Sequence, residues 1–134
     1  VVVAFGYLMG KMMINDINLF VESWLKAWNQ HDLPEIMSHY TDDFEIHSPM
    51  LIKLGIAPAG KLQGKPLIAD YWQQALIKFP DLHFTLQRVT LGVDCLAIGY
   101  QSVLNMPATE IMFWDTSGKI TKVLACYGTD WGET

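Results

Sequence analysis

The run FPDLHFTLQRVTL, residues 79–91, is where the chain changes its period. Upstream, Ile68, Tyr71, Trp72, Ala75, Leu76 and Phe79 recur every three or four positions and predict an amphipathic helix. Pro80 lacks a backbone donor and stops it, and Asp81 favours a turn. Downstream the period is two. LHFTLQRVTL, CLAIGYQSVL, ATEIMFWD and KITKVLACYG predict four long strands separated by GVD, NMP and TSG.

Working outward toward the N-terminus, Pro66 marks a helix start, and SPMLIKLGIAPAGKLQG before it reads as a Pro/Gly-punctuated connection. FEIHS alternates as a strand. Asp32, Pro34 and Glu35 form a capping-box signature that opens a short helix through Ile36, Met37 and Tyr40. From Asp16, the stripe Ile17, Phe20, Val21, Trp24 and Trp28 predicts a long first helix ended by NQHD. Helices first and strands after is an α+β order, with an antiparallel sheet packed on the helices. The last two strands carry large apolar residues at both parities, so a second subunit is expected on the outer face, making a homodimer.

The 134 residues, 51% hydrophobic and 17% charged, suit one compact domain. Residues 15–134 are taken as that domain, and residues 1–14 as an N-terminal extension before a start near Met12 or Met13. The extension is too short to span a bilayer, lacks a basic n-region and is a candidate extra edge strand. A net charge of −5 with Arg88 as the only arginine argues against nucleic acid, and nothing points to a membrane. Cys95 and Cys126, in apolar runs without CxxC spacing, read as buried free thiols in a reducing, cytoplasmic setting. His31 and His39 have no carboxylate or cysteine at ligand spacing, so neither a metal nor another cofactor is expected.

Glu110 is the sharpest chemical signal. It alternates with Met112 and Trp114, which places its carboxylate among bulky apolar groups, where a dry carboxyl has a raised pKa. The bland alternative is a rim glutamate or one paired with lysine. His83 is ambiguous: alternation sets it opposite Leu82, Phe84 and Leu86, and a one-residue shift of register reverses its direction. Asp42 and Asp43 read as turn-forming acids between helix and strand.

The succession WLKAWNQHDLPEIMSHYTDDFEIHSP, then a Gly before a helix ending in FPDLHF, then four strands closing on GKITKVLACYG, resembles the SnoaL-like branch of the nuclear transport factor 2-like superfamily over about residues 16–128. The resemblance implies a cone-shaped α+β barrel, a curved, mostly antiparallel sheet wrapped around three helices with an apolar pocket at the open end. Relatives include ketosteroid isomerases, polyketide cyclases, dehydratases and non-catalytic modules, so function has to be argued residue by residue.

By that resemblance, the isomerase's proton-shuttling Asp falls at Ser48, its oxyanion Tyr at Trp24, and its protonated Asp at Glu110. With Ser48 facing the pocket, Phe44 and Ile46 also turn inward, while Glu45 and His47 point away. The cyclase's Asp falls at Ala125. Of the dehydratase's His and Asp, His83 is present and Asn29 replaces the acid; an Asn orients an imidazole without stabilising its charged form. Tyr40, Trp72 and Tyr127 would line the pocket, with Met112 beside Glu110 and Gln101 adding a polar contact; core packing is the alternative for the aromatics. The implied function is binding of a small, largely apolar, oxygenated ligand. If the protein is catalytic, the reaction is a cofactor-independent isomerisation, cyclisation or dehydration with His83 as base and Glu110 as acid. The alternative is a non-catalytic dimerisation or ligand-carrier module with its cone plugged by Trp24, Trp72 and Met112.

Overall fold

The computed structural model describes residues 14–129. Residues 1–13 of the proposed N-terminal extension, with its edge strand, lie outside them, and Ile14 already belongs to the first helix. Helix α1 (Ile14–Asn29) buries Ile17, Val21, Trp24 and Trp28 on one stripe, with Asp16 in its first turn and Lys26 in its last, each suited to the helix dipole. His31 then takes a left-handed φ of 56°, reversing the chain. Asp32 caps α2 (Leu33–Met37), its Oδ1 accepting from the Glu35 backbone N–H at 3.2 Å. Helix α2 is shorter than the sequence suggests. Ser38 closes it by donating to the Glu35 carbonyl, and Tyr40 opens strand β1 (Tyr40–His47), pairing with Ile120.

Asp42 and Asp43 therefore lie inside β1 and not in a turn. Both are exposed, in the stretch where the register of β1 shifts between Tyr40 and Glu45. The connection that follows holds two short elements the sequence pattern does not reveal. Ser48 caps α3 (Pro49–Lys53), and strand β2 (Lys61–Gln63) pairs antiparallel with β1. The Ser48 N–H donates to the Gly60 carbonyl, so the intervening excursion leaves and rejoins the sheet at one point. Gly64, at φ 96°, makes the turn into α4 (Lys65–Lys78), a conformation costly for any side chain bearing a Cβ.

After α4 come β3 (Thr85–Leu91), β4 (Cys95–Gln101), a 3-10 turn at Val103–Asn105, β5 (Pro107–Trp114) and β6 (Ile120–Tyr127). The sheet order is β2-β1-β6-β5-β4-β3, parallel at β1–β6 and antiparallel elsewhere. Among the described residues it is an open, mixed, six-stranded sheet accompanied by four helices, and the cone is not closed into a barrel. One face packs on α1, α2 and α4. On the other, Ile111, Phe113 and Leu124 remain only half-buried. Neither cysteine is fully buried: Cys95 is partly covered and Cys126 exposed, both free, because they take the outward parity of β4 and β6.

Candidate functional site

The helical side of the sheet does not close completely. Between α4, α3, the 3-10 turn and the inner face of β4–β6 lies a cavity of about 420 Å³. That is within the range of small-molecule sites, roughly 300–1,000 Å³. Its wall is mostly apolar; α4 contributes Gln74 and Lys78, and on the sheet side a polar cluster forms around Glu110.

Cross-strand pairing fixes that cluster. Ile98 faces Glu110, and Tyr100 faces Ala108, so Tyr100 and Glu110 are diagonal neighbours on one face of β4 and β5. The Tyr100 hydroxyl donates to Glu110 Oε2 at 2.5 Å. Glu110 is 7% exposed and lines the cavity, with Ala125 directly across on β6. Burial pushes the Glu110 carboxyl up to about 7, with the Tyr100 hydrogen bond pulling the other way. No lysine or arginine offsets that burial. Such a group gains or loses a proton near neutral pH.

The hydroxyls around it behave differently. Tyr100, Tyr71 and Tyr127 line the same cavity, and all three are raised above the ordinary tyrosine range. Burial is the first cause in each; the negative charge of Glu110 adds to it. They stay protonated and act as hydrogen-bond donors. Ser48, 5% exposed, lines the cavity and spends its Oγ as acceptor for the Met50 N–H at 3.2 Å, while its contact with Tyr71 and Tyr127 moderates their shift.

Ile46, Ser48, Trp72, Glu110, Ala125 and Tyr127 of the sequence-derived set all lie on the cavity wall. Trp24, Tyr40, Phe44 and Met112 do not. They fill the core beneath it: Trp24 Nε1 donates to the Tyr40 hydroxyl at 3.0 Å, and Tyr40 stacks on Phe44 with ring centroids 4.4 Å apart. Packing complementary aromatic faces in the apex of the cone outweighs leaving them as wall.

Gln101 is a second correction. Inward parity on β4 belongs to Leu96, Ile98 and Tyr100, so Gln101 points outward, where its Oε1 accepts from Gln87 Nε2. His83 is the third. It is exposed and outside the cavity, because Leu82 and Phe84 on either side are buried. Asn29 does not orient its ring: Asn29 Nδ2 donates to the Phe84 carbonyl at 3.0 Å, and Phe84 N–H donates to Asn29 Oδ1 at 2.7 Å. His31 Nε2 adds a bond to the Leu82 carbonyl at 2.9 Å. The α1–α2 turn thus clamps the backbone entering β3, with His83 facing away. The proposed His83–Glu110 base and acid pair does not meet.

Tyr100 and Tyr71 are among the cavity residues that the sequence pattern did not single out, as are Lys78 and Ser102. Leu96, Ile98 and Tyr100 share a parity in CLAIGYQ, which is the signal that points to Tyr100. Among the described residues, no three His, Cys, Asp or Glu side chains are grouped as metal ligands would be, and no helix is long and apolar enough to cross a membrane.

An open mixed sheet cupped around helices, with a cavity at its mouth, places the chain in the nuclear transport factor 2-like class of α+β folds. An NTF2-like protein from Cytophaga hutchinsonii shares it at a TM-score of 0.61 and 14% identity, over 85% of this chain and 88% of that one. More narrowly, the chain belongs to the SnoaL-like domain family, whose profile matches residues 21–123. It is 40% identical to a SnoaL-like protein of unknown function from Burkholderia thailandensis, over 83% of this chain and 93% of that one, with a TM-score of 0.80. IdmH from Streptomyces antibioticus, a candidate polyketide cyclase, is similar in fold at a TM-score of 0.69 and 18% identity, covering 82% and 90% of the two chains. Among curated proteins, none matches the chain.

Proposed function

We propose that the cavity binds a small, largely apolar molecule carrying one or two oxygens, and that Glu110 moves a proton on it without any cofactor. The observation that carries this reading is the Glu110 carboxyl, buried at about pKa 7 on the wall of an open cavity of about 420 Å³. In its ionised form Glu110 takes a proton from carbon beside a carbonyl; the resulting acid returns it to another carbon of the same molecule, an isomerisation with no net change in protons. The Tyr71 and Tyr127 hydroxyls, on the same wall, are suited to hydrogen-bond the enolate oxygen that develops between the two transfers. With His83 outside the cavity, one residue serves as both base and acid. A cone plugged by Trp24, Trp72 and Met112 would favour a non-catalytic module; Trp24 and Met112 fill only the apex, and the space in front of Trp72 is open.

The half-buried Ile111, Phe113 and Leu124 on the outer sheet face support a homodimer, and the free thiols of Cys95 and Cys126 suit a reducing, cytoplasmic setting. Native mass spectrometry of the purified protein tests the binding reading: a co-purified apolar adduct, or uptake of one member of a panel of steroid, terpene and polyketide-like compounds, is the expected result. If nothing binds, the reading fails. For a compound that is turned over, Glu110→Gln should abolish turnover; an unchanged rate removes Glu110 from the chemistry.

A further inference from the structure

Helix α4 packs with two faces. Ile68, Trp72 and Leu76 are buried in the core, while Tyr71, Gln74, Ala75 and Lys78 recur at helical spacing along the cavity wall. Gln74 and Lys78 stand one turn apart on that stripe, and both are exposed. Among the described residues, Lys78 is the only lysine or arginine on the wall, and it forms no ion pair. Its ammonium lies 5.7 Å from the centroid of the Phe79 ring, which also lines the cavity.

The two charged side chains of the wall stand apart. Tyr71 is close enough to Glu110 for that charge to oppose ionisation of its hydroxyl. Lys78 is two turns further along α4, about 10 Å at 1.5 Å per residue. Much of the remaining wall is apolar, with Trp28, Trp72, Ala75 and Phe84 in it.

This arrangement sorts a ligand by charge. A carboxylate beside Glu110 would meet a like charge, or an apolar wall with no cation, and either is costly. At Lys78 it meets an ammonium and the Gln74 amide, and it keeps contact with water, so little desolvation opposes the pairing.

We infer that Lys78, with Gln74, forms a carboxylate subsite at the open side of the cavity, and that the ligand is an apolar monocarboxylic acid with its charged end there and its other end toward Glu110. This rests on the cavity being the binding site proposed above, and it adds a charged group to the ligand class given there. A lysine in the last turn of a helix also balances the helix dipole. Lys26 holds that place in α1, exposed and outside the cavity wall, and makes a matched control.

Phenylvaleric acid, its methyl ester and its primary amide share one apolar body and differ in charge. Isothermal titration calorimetry near neutral pH should show the ionised acid binding about fivefold tighter than the ester and the amide at low ionic strength. The preference should shrink as salt is raised toward about 1 M. Lys78→Met should abolish it without weakening the ester, and Lys78→Arg should keep it. Lys26→Met removes the same charge elsewhere and should leave it unchanged. Met and Arg are good helix formers, so these variants should melt close to the parent. If the acid binds the parent no tighter than the ester, or its preference survives Lys78→Met or falls equally in Lys26→Met, the subsite inference falls with the cavity reading intact. If none of the three compounds binds, both fall.

Discussion

Tyr100 and Glu110 meet diagonally across β4 and β5, the phenol donating to the carboxylate at 2.5 Å on the wall of the cavity. The bond stabilises the ionised carboxyl, against the burial that favours the acid. Tyr100→Phe deletes it with little change in volume. The Glu110 carboxyl should then titrate above 7, as a carbon-13 NMR titration of the side-chain carboxyl would record. A lower or unmoved value would show that the hydroxyl does not donate to the carboxylate.

The same carboxyl makes stability depend on pH. Its folded pKa of about 7 lies above the ordinary 4.5, so between those values the folded protein holds a proton the unfolded chain has released. Stability therefore falls as pH rises through that window and levels off above about 7. The full effect is roughly 3 kcal/mol. Tyr40, Tyr71, Tyr100 and Tyr127, whose ionisation the charge of Glu110 opposes, stay protonated throughout and do not contribute. Glu110→Gln keeps an acceptor for Tyr100 and removes the titration. Its stability relative to the parent should be higher at pH 8 than at pH 5, measured by urea denaturation at each pH; parallel pH profiles would contradict a buried, titrating Glu110.

How much of this was legible in the chain follows the length of each pattern. The stripes of α1 and α4 and the alternation of β3 to β6 are long enough to declare their period, and so the α+β order was readable. Five residues of α3 and three of β2 are too few to show one, which hid them inside SPMLIKLGIAPAGKLQG. Glu110 was legible because a single acid among Met112 and Trp114 breaks a local rule. Alternation alone set His83 opposite Leu82 and Phe84, outside the cavity; drawing it inward through the dehydratase analogy was the error. Apex aromatics such as Trp24 and Phe44 differ from wall aromatics such as Trp72 and Tyr127 only by which ring reaches the cone's tip, a tertiary outcome that spacing does not encode.

The α1–α2 turn makes a separate test of what Asn29 does. Asn29→Ala leaves the N–H and carbonyl of Phe84 without their partners at the entry to β3. The loss should be on the order of 2 kcal/mol, a fall in melting temperature of about 5–10 °C. His83→Ala removes an exposed ring and should move neither the melting temperature by more than about 2 °C nor ligand uptake. A large loss of uptake in His83→Ala alone would return the histidine to the site.

The outer face of the sheet supplies the last prediction. Ile111 and Leu124 face each other across β5 and β6, Phe113 follows at the same parity, and among the described residues no helix covers them. Lys122 lays its ammonium 5.8 Å from the Phe113 ring, so a charge already borders this patch, and its apolar centre lies at Ile111 and Leu124. Placing an acid there, as in Ile111→Asp, would bury an unpaired charge in a homodimer and cost little in an isolated subunit, whose outer face is half open to water. Light scattering coupled to gel filtration should show a dimer for the parent and a monomer for the variant. The helical core lies on the opposite side of the sheet, so far-ultraviolet circular dichroism should be retained. A parent protein that runs as a monomer at tens of micromolar would leave the apolar outer face to a different partner.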